Sequence, residues 1–387
     1  MSDAYIVDAV RTPGGRRKGF FSSMHPADLG TAVIDGLLDR TGLNPAAIED
    51  VIVGCVSQTG EQAFAFGRNV VLASRLPQTV PAVTIDRQCG SSQQALHFAA
   101  QAVMSGTQDV VVAAGAESMT RVPMGSNYLL HEQAGIGEGP WSRSIRSRFG
   151  VEEFSQFQGA QAVADKYRLS RDAMDTYSLE SHRRAAAVTL AGAFSAEIVP
   201  IRIDGATIDR HEGIRYDASL QAIAAVKPLV SDGTITAANA SQMADGALAA
   251  LVVSAKALRE HGLTPIARVH GLSVSAGDPV MMLEEAIPAT RKALARVGLT
   301  LDDIDLFEVN EAFASIPMAW AMALSVEHDR MNVNGGAIAL GHPLGASGTK
   351  LLATLVHALR ARNLRFGLQA MCEGGGIANV TIGEALY

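Results

Sequence analysis

The sequence predicts an α/β fold built from two similar halves with a long insertion between them. Residues 42–54 and residues 298–309 share one pattern, in which a glycine and a polar loop lead into an apolar strand. The segments that follow also match, because a strand at 82–86 leads into a helix and residues 345–348 open a second helix. Recurrence of the same units predicts two halves of like topology, related by a pseudo-twofold axis.

Each of these predicted helices is followed by a buried strand. In the first copy the helix ends near Met104, and the apolar run 110–114 follows it. In the second copy the helix ends near Arg360, and the run 366–371 follows it. Runs without polar alternation suit central strands whose two faces are both covered. The apolar run 247–253 predicts a strand that returns the chain to the first sheet.

The middle of the chain differs from both copies. Residues 122–140 are rich in Gly, Pro and Ser and predict loops, residues 170–193 predict a helix, and the charged stretch 202–215 predicts turns. Long insertions in compact enzymes are usually functional, so we expect this one to cover the active site and to take part in assembly. The expected domains are residues 1–118 with 245–265, the insertion 119–244, and residues 266–387.

The composition is that of a globular enzyme. The 387 residues are enough to bury a large core, and 48% are hydrophobic while 18% are charged. A formal net charge of −7 argues against a general nucleic-acid binder, whose surface would be basic.

The three cysteines, Cys55, Cys89 and Cys372, are too few and too scattered for a disulfide scaffold and fit a reducing compartment. No CxxC or HExxH spacing occurs, so no metal site is predicted. The sequence shows no secretory leader, no apolar stretch of membrane length and no peroxisomal tripeptide at 385–387. We expect a cytoplasmic enzyme with neither a membrane nor a nucleic-acid partner.

Cys89 lies between a predicted strand and a predicted helix. A helix N-terminus favours a thiolate through its partial positive charge and its free N–H groups, so Cys89 is a candidate nucleophile. The alternative is a small buried side chain, which is the commoner role of a lone cysteine. Cys55 sits in an apolar strand with no glycine turn beside it, and we assign it to core packing.

His342 lies between Gly341 and Pro343 in a glycine-rich run. A histidine in a loop with a fixed backbone suits a positioned base better than a core-filling residue. The alternative is a turn histidine that bonds to the backbone. The glycines also suggest a phosphate-binding loop, but the run contains neither GxGxxG nor a P-loop pattern.

Asn310 follows the predicted strand 306–309 and precedes a predicted helix. It is a candidate site residue, although a helix cap would explain it equally well, with Glu311 as the acid of the first turn. Cys372 ends a strand before three glycines, and Gly374 can present a backbone N–H that a larger residue would shield. Two thiols, one imidazole and one amide together suit nucleophilic carbon–sulfur chemistry.

Taken together, these segments resemble the thiolase family over essentially the full chain. The matching stretches are 89–92 (CGSS), 236–241 (TAANAS), 310–314 (NEAFA), 335–343 (GGAIALGHP) and Cys372 with its glycines. Residues 86–95 and 372–376 are similar to the degradative, actinobacterial branch linked to steroid breakdown. The resemblance implies a five-layered αβαβα fold with an inserted loop domain.

The resemblance also implies roles for individual residues. Cys89 would be the acylated nucleophile, His342 its base, and Cys372 the group that protonates the departing enolate and then deprotonates coenzyme A (CoA). Asn310 would hold a water in one oxyanion hole, and the backbone N–H groups of Cys89 and Gly374 would form another. Ser241, Phe313 and Ala312 would contact the acyl-CoA substrate or CoA. CoA would be a co-substrate, with no permanently bound cofactor, and the chain would form a homodimer or homotetramer.

Two positions and one segment depart from the usual family pattern. Ser92 stands where many members have glycine, and Glu373 follows Cys372 where an aliphatic residue is usual. Alternation along a strand predicts that the Glu373 side chain points away from the site. Residues 155–160 lack the His-Met-Gly sequence of the short-chain biosynthetic enzymes, which permits a larger acyl pocket.

The proposed reaction is thiolysis of a 3-ketoacyl-CoA. The alternatives are acetoacetyl-CoA synthesis with the same residues, a condensing synthase, and a non-catalytic lipid-CoA binding protein. A synthase of this fold typically has a second histidine at the position of Cys372, and a binding protein would not need both thiols.

Overall fold

A computed structural model describes residues 3–229 and 232–387. Its strands are β1 (Ala4–Arg11), β2 (Gly15–Arg16), β3 (Asp50–Gly54), β4 (Ala82–Ile85), β5 (Val110–Ser118), β6 (Ile201–Ile203), β7 (Ala206–Ile208), β8 (Ala244–Ser254), β9 (Ala267–Ala276), β10 (Leu306–Val309), β11 (Phe366–Glu373) and β12 (Ile377–Ala385).

Its α-helices are α1 (Pro26–Thr41), α2 (Phe66–Ala73), α3 (Ser91–Ser105), α4 (Ser126–Ala134), α5 (Arg143–Phe149), α6 (Gln156–Lys166), α7 (Arg171–Leu190), α8 (Leu220–Ala224), α9 (Ala255–His261), α10 (Ala286–Val297), α11 (Ser315–Leu324), α12 (Ala337–Leu340) and α13 (Ser347–Ala361). None of the helices in these two ranges is long and apolar enough to span a bilayer.

The main sheet joins two halves edge to edge. Its strand order is β10-β11-β12-β9-β1-β8-β5-β3-β4, and β2 pairs with β8. The halves meet where β1 pairs with β9 through Tyr5 with Arg268 and Ile6 with Ala267. From this seam outward, β1-β8-β5-β3 on one side corresponds to β9-β12-β11-β10 on the other. In each half the outer pair is parallel and the inner pairs are antiparallel, as a pseudo-twofold repeat requires.

The helices complete five layers. Helices α1 and α2 cover the outer face of the first half, and α10 and α11 cover that of the second. Helices α3 and α13 pack against each other between the two halves, where Leu96, Leu352 and Ile6 lie in one fully buried cluster. The N-termini of α3 and α13 therefore both lie in the interior of the protein.

The predicted repeat is present in the local structure. Gly42 ends α1 and Gly298 ends α10, each with a left-handed backbone, φ being 65° and 72°. A short 3-10 turn and a strand, β3 or β10, follow each glycine. Only glycine adopts this conformation without steric cost, which explains why the same residue punctuates both copies.

The insertion is more regular than the sequence indicates. The prediction of loops at 122–140 was wrong, because α4 forms there, and 202–215 contains part of the β6–β7 hairpin rather than turns alone. The predicted helix at 170–193 is confirmed as α7, whose N-cap Ser170 accepts a hydrogen bond from the Ala173 N–H. The division of the chain into three domains stays a prediction.

Candidate active site

Cys89 lies on a tight turn between β4 and α3. Gln88 before it has φ of 46°, a left-handed conformation that is strained for a residue with a side chain, and Gly90 after it is the N-cap of α3. The Cys89 side chain is 7% exposed and packs with Met119, Leu344 and Met371. The turn therefore aims the thiol into a mostly apolar pocket.

The loop after Cys372 packs directly against this turn. A Cβ on Gly90 would collide with Oε1 of Glu373, and a Cβ on Gly374 would lie 3.0 Å from Oε1 of Gln88. The Asn379 side-chain amide also donates to the Gly90 carbonyl over 3.1 Å. The segments that carry the two thiols are thus in contact, although 283 residues separate Cys89 from Cys372 (372 − 89).

Asn310 lies beside the second thiol. Its Nδ2 is 3.7 Å from Sγ of Cys372, and both side chains are buried. Parallel pairing of β10 with β11 brings the two strand ends together, since the Asn310 N–H also donates to the Ala370 carbonyl. Oδ1 of Asn310 is buried with no hydrogen-bond partner and is free to accept one.

The helix-cap interpretation of this segment was wrong. Helix α11 begins at Ser315, five residues beyond Asn310, so Glu311 is not in its first turn. Glu311 instead accepts hydrogen bonds from Tyr177 and Ser181 of α7, from Asn332, and from the Ile338 N–H. This buried carboxylate ties the insertion to the glycine-rich segment that leads to His342.

The histidine is held in a defined tautomer. Oγ of Ser347 lies 2.8 Å from the Pro343 carbonyl oxygen and 2.6 Å from Nδ1 of His342. Since a carbonyl only accepts, the hydroxyl donates to Pro343, and Nδ1–H of His342 donates to the hydroxyl. The proton is then on Nδ1. Nε2 is buried without a partner, so its lone pair is available.

The predicted substrate contacts lie together beside this group. The Ser241 N–H donates to the Ala312 carbonyl over 2.9 Å, and Ala240 forms a bridge with Phe313. The next carbonyl along, that of Gln242, accepts the His342 N–H. Ala312 and Phe313 therefore lie shortly after Asn310 in the sequence. Ser241 is next to Gln242, whose carbonyl accepts the His342 N–H.

Burial determines the protonation of all three titratable groups. Burial, then the charges of Cys372 and Glu373, raises the pKa of Cys89 well above its ordinary value. Burial likewise raises the pKa of Cys372 to about 12, against a lowering by Asn310, and lowers that of His342 to about 3. The expected helix effect, about 0.3–1 kcal/mol, is too small to offset burial. The resting site holds neutral thiols and a neutral imidazole.

Comparison with known proteins identifies the family. The model of the thiolase N-terminal domain matches residues 4–256, and that of the thiolase C-terminal domain matches residues 263–385. The chain belongs to the thiolase family. It is therefore an acyltransferase enzyme, and the family assignment made from the sequence motifs is confirmed.

Several thiolases resemble the chain over its full length. It is 50% identical to steroid 3-ketoacyl-CoA thiolase FadA6 of Mycobacterium tuberculosis, covering 100% of this chain and 95% of that protein. It is 40% identical to 3-ketoacyl-CoA thiolase of Yersinia pestis, covering 100% of both. The crystal structure of Bacillus anthracis acetyl-CoA acetyltransferase superimposes with a TM-score of 0.91 at 34% identity, over 100% and 99% of the two chains. The predicted fold class is thereby confirmed.

Sequence reasoning missed several residues that surround the candidate site. Ser347 orients the histidine, and Met119 and Met124 of the insertion pack around Cys89. Glu117 accepts hydrogen bonds from the Val56 and Ser57 N–H groups and from that of Gly345. An acidic residue at the end of an apolar strand could have marked Glu117 as a candidate in the sequence. Ser347 had no such mark, because a serine in a helix is common.

The expectation that Glu373 points away from the site was wrong. Its carboxyl group lies against Gly90 and is fully buried. Burial raises its pKa well above the ordinary value, against a lowering by the charge of Arg87. Ionisation of Glu373 would raise the pKa of both thiols.

This leads to a stability prediction for Glu373→Gln. A carboxyl group whose pKa is raised by folding destabilises the folded state as pH rises above about 4.3, the ordinary glutamate value, because only the unfolded chain ionises freely. The variant should therefore be more stable to unfolding than wild type at pH 8, and the difference should shrink toward pH 4. Urea unfolding at both pH values measures it. Glu132→Gln, at an exposed site, is the control, and a pH-independent difference would contradict the prediction.

Proposed function

We propose that the chain catalyses CoA-dependent cleavage of a 3-ketoacyl-CoA into acetyl-CoA or propionyl-CoA and a shortened acyl-CoA. The observation that supports this most is the contact between the turn of Cys89 and the loop after Cys372. The two thiols are buried, and the side-chain amide of Asn310 contacts one of them, that of Cys372. This arrangement fits a reaction in which one sulfur is acylated and the other transfers protons. The relatives named 3-ketoacyl-CoA thiolases support the degradative direction.

In the first half-reaction, Sγ of Cys89 attacks the C3 carbonyl carbon while its proton passes to Nε2 of His342. The C2–C3 bond then breaks, which leaves an acyl thioester on Cys89 and the electron pair on the acetyl-CoA enolate. Cys372 transfers its proton to C2. A pKa of about 12 keeps Cys372 protonated at neutral pH, so it is ready to act as the acid at this step.

The second half-reaction restores both thiols. The Cys372 thiolate takes the proton of the CoA thiol, and the CoA sulfur attacks the thioester on Cys89. The departing Cys89 sulfur regains its proton from His342. Because Cys89 and His342 are both neutral at rest, the proton moves together with the attack in each direction.

Oxyanion stabilisation comes from two sets of donors in this proposal. Asn310 holds a water beside His342, and the backbone N–H groups of Cys89 and Gly374 receive the enolate oxygen. Donors fixed in a buried site contribute about 3–4 kcal/mol each to the transition state. Ser241, Ala312 and Phe313 contact the acyl-CoA or CoA, which is a co-substrate, and no cofactor is bound permanently.

The covalent step gives a direct test. Incubation with a 3-ketoacyl-CoA and no free CoA should raise the intact mass of the wild-type chain by one acyl group. Cys89→Ala should show no increase, since the attacking sulfur is absent. Cys55→Ala is the matched control, because Cys55 is equally buried but packs in the outer core of the first half. Unchanged acylation of Cys89→Ala would refute the mechanism.

The B. anthracis structure favours a second candidate, an acetyl-CoA acetyltransferase that forms acetoacetyl-CoA. Against it, helix α6 begins at Gln156 and places Phe157 edge-on to Phe313, with ring centroids 5.6 Å apart. An aromatic pair at this position suits a large apolar acyl group, and the relative at 50% identity is named for steroid substrates.

A substrate panel separates the two candidates. We expect kcat/KM for a 3-ketoacyl-CoA with a ring-containing acyl group to exceed that for acetoacetyl-CoA by about 10-fold or more, through the extra apolar contacts. The measurement is initial thiolysis rate with saturating CoA. Phe157→Ala should reduce the preference. A strong preference for acetoacetyl-CoA would favour the biosynthetic candidate.

We further propose that the chain forms a cytoplasmic homodimer or homotetramer. Strand β4 lies at the outer edge of the sheet, and its Val83 is 45% exposed, so the strand has a free edge for a second copy. Light scattering should give a mass near two or four times 40.6 kDa, and a mass of one chain would contradict assembly. Cell fractionation tests the location.

A further inference from the structure

A buried lysine lies behind the histidine of the site. Lys350 of α13 is 5% exposed, and its Nζ donates to the carbonyls of Leu340 and Gly341 over 2.9 and 2.7 Å. These are the two carbonyls immediately before His342, at the C-terminus of α12. An amino group that bonds two successive carbonyls restrains the backbone from which the imidazole projects.

A buried polar network, whose charges act on Lys350, joins three parts of the chain. Arg11 of β1 forms an ion pair with Glu197 of the insertion over 2.8 Å, and both side chains are at most 2% exposed. Arg11 also lies 2.6 Å from Nε2 of His211, and Thr354 of α13 donates to Glu197. A network with these contacts is costly to distort, because each charged group would lose its partner in the interior.

Four charged residues affect the pKa of Lys350. Burial and the charge of Arg11 lower its pKa to about 7, while Glu197, Glu308 of β10 and Glu311 oppose the lowering. Lys350 in turn is the charged group that, after burial, lowers the pKa of His342. In the acid range where His342 would take up a proton, Lys350 is itself charged and repels it.

We propose that Lys350 is a positioning residue: its Nζ holds the Leu340 and Gly341 carbonyls and thereby keeps the His342 imidazole aimed at the nucleophile. The inference rests on the proposed function for its kinetic consequence, but the position and the tautomer of His342 do not depend on any substrate. Ser347 fixes one ring nitrogen from the side chain, and Lys350 fixes the backbone beneath it.

The test compares Lys350→Met, Lys350→Gln and Lys350→Arg with wild type. The two neutral variants should lower kcat for thiolysis about 10-fold or more, because a small displacement of a reacting group costs this much, while KM for CoA stays within about twofold. Lys350→Arg, which can still donate to both carbonyls, should recover most of the rate. Lys256→Met removes an exposed lysine that pairs with Asp109 and should behave as wild type.

A second readout needs no turnover. Nitrogen-15 NMR of the histidine rings, with His342 assigned by its loss in His342→Asn, should show a single tautomer protonated on Nδ1 in wild type. The neutral Lys350 variants should show a mixture of tautomers. If wild type fails to cleave any 3-ketoacyl-CoA, the proposed function fails, but the tautomer result still decides the role of Lys350.

Two outcomes would overturn the proposal. One is a folded neutral variant with wild-type kcat and a wild-type His342 signal. The other is failure of both neutral variants to fold while Lys350→Arg is normal, since Lys350 would then stabilise the fold and not the position of the histidine. Thermal melting of each variant distinguishes these cases.

Discussion

The close approach of two helix starts, those of α3 and α13, underlies the whole site. The Thr349 N–H donates to Oγ of Ser92, and the Thr349 hydroxyl donates back to the Ser92 carbonyl. Glycine makes this approach possible, because a Cβ on Gly348 would collide with the Gln93 backbone and one on Gly54 with that of Ser92. Cys89 precedes one helix and His342 precedes the other, so this contact brings the two candidate catalytic segments together.

The same contact determines the chemistry available. Both helices are in the middle layer, and groups at their N-termini are deprived of water. Desolvation shifts a pKa by up to 3–5 units, whereas a helix terminus contributes less than about 2 kcal/mol. The thiols consequently remain protonated at rest. In the proposed reaction the proton of Cys89 therefore moves during the attack and not before it.

The repeat, the buried strands and the four candidate catalytic side chains could be predicted from the sequence, because they depend on local patterns of apolar residues, glycines and cysteines. The direction of Glu373 was not predictable in this way. Alternation along β11 predicts the face of the strand on which a side chain lies. Both faces of β11 are buried, so this face alone does not tell whether Glu373 lies near the thiols. The role of Lys350 was equally hidden, since a lysine in an amphipathic helix normally faces solvent.

Buried charges behind the site have a cost that the fold must offset. Arg11 and Glu197 come from β1 and the insertion, and Thr354 of α13 donates to Glu197, so these contacts form only when all three parts have docked. Removing one member leaves another charge unpaired in the interior, which typically costs several kcal/mol. Docking of these three parts is thus coupled through groups whose charges also act on Lys350. A chain in which the insertion had not docked would lack the Arg11–Glu197 ion pair and the Thr354 contact.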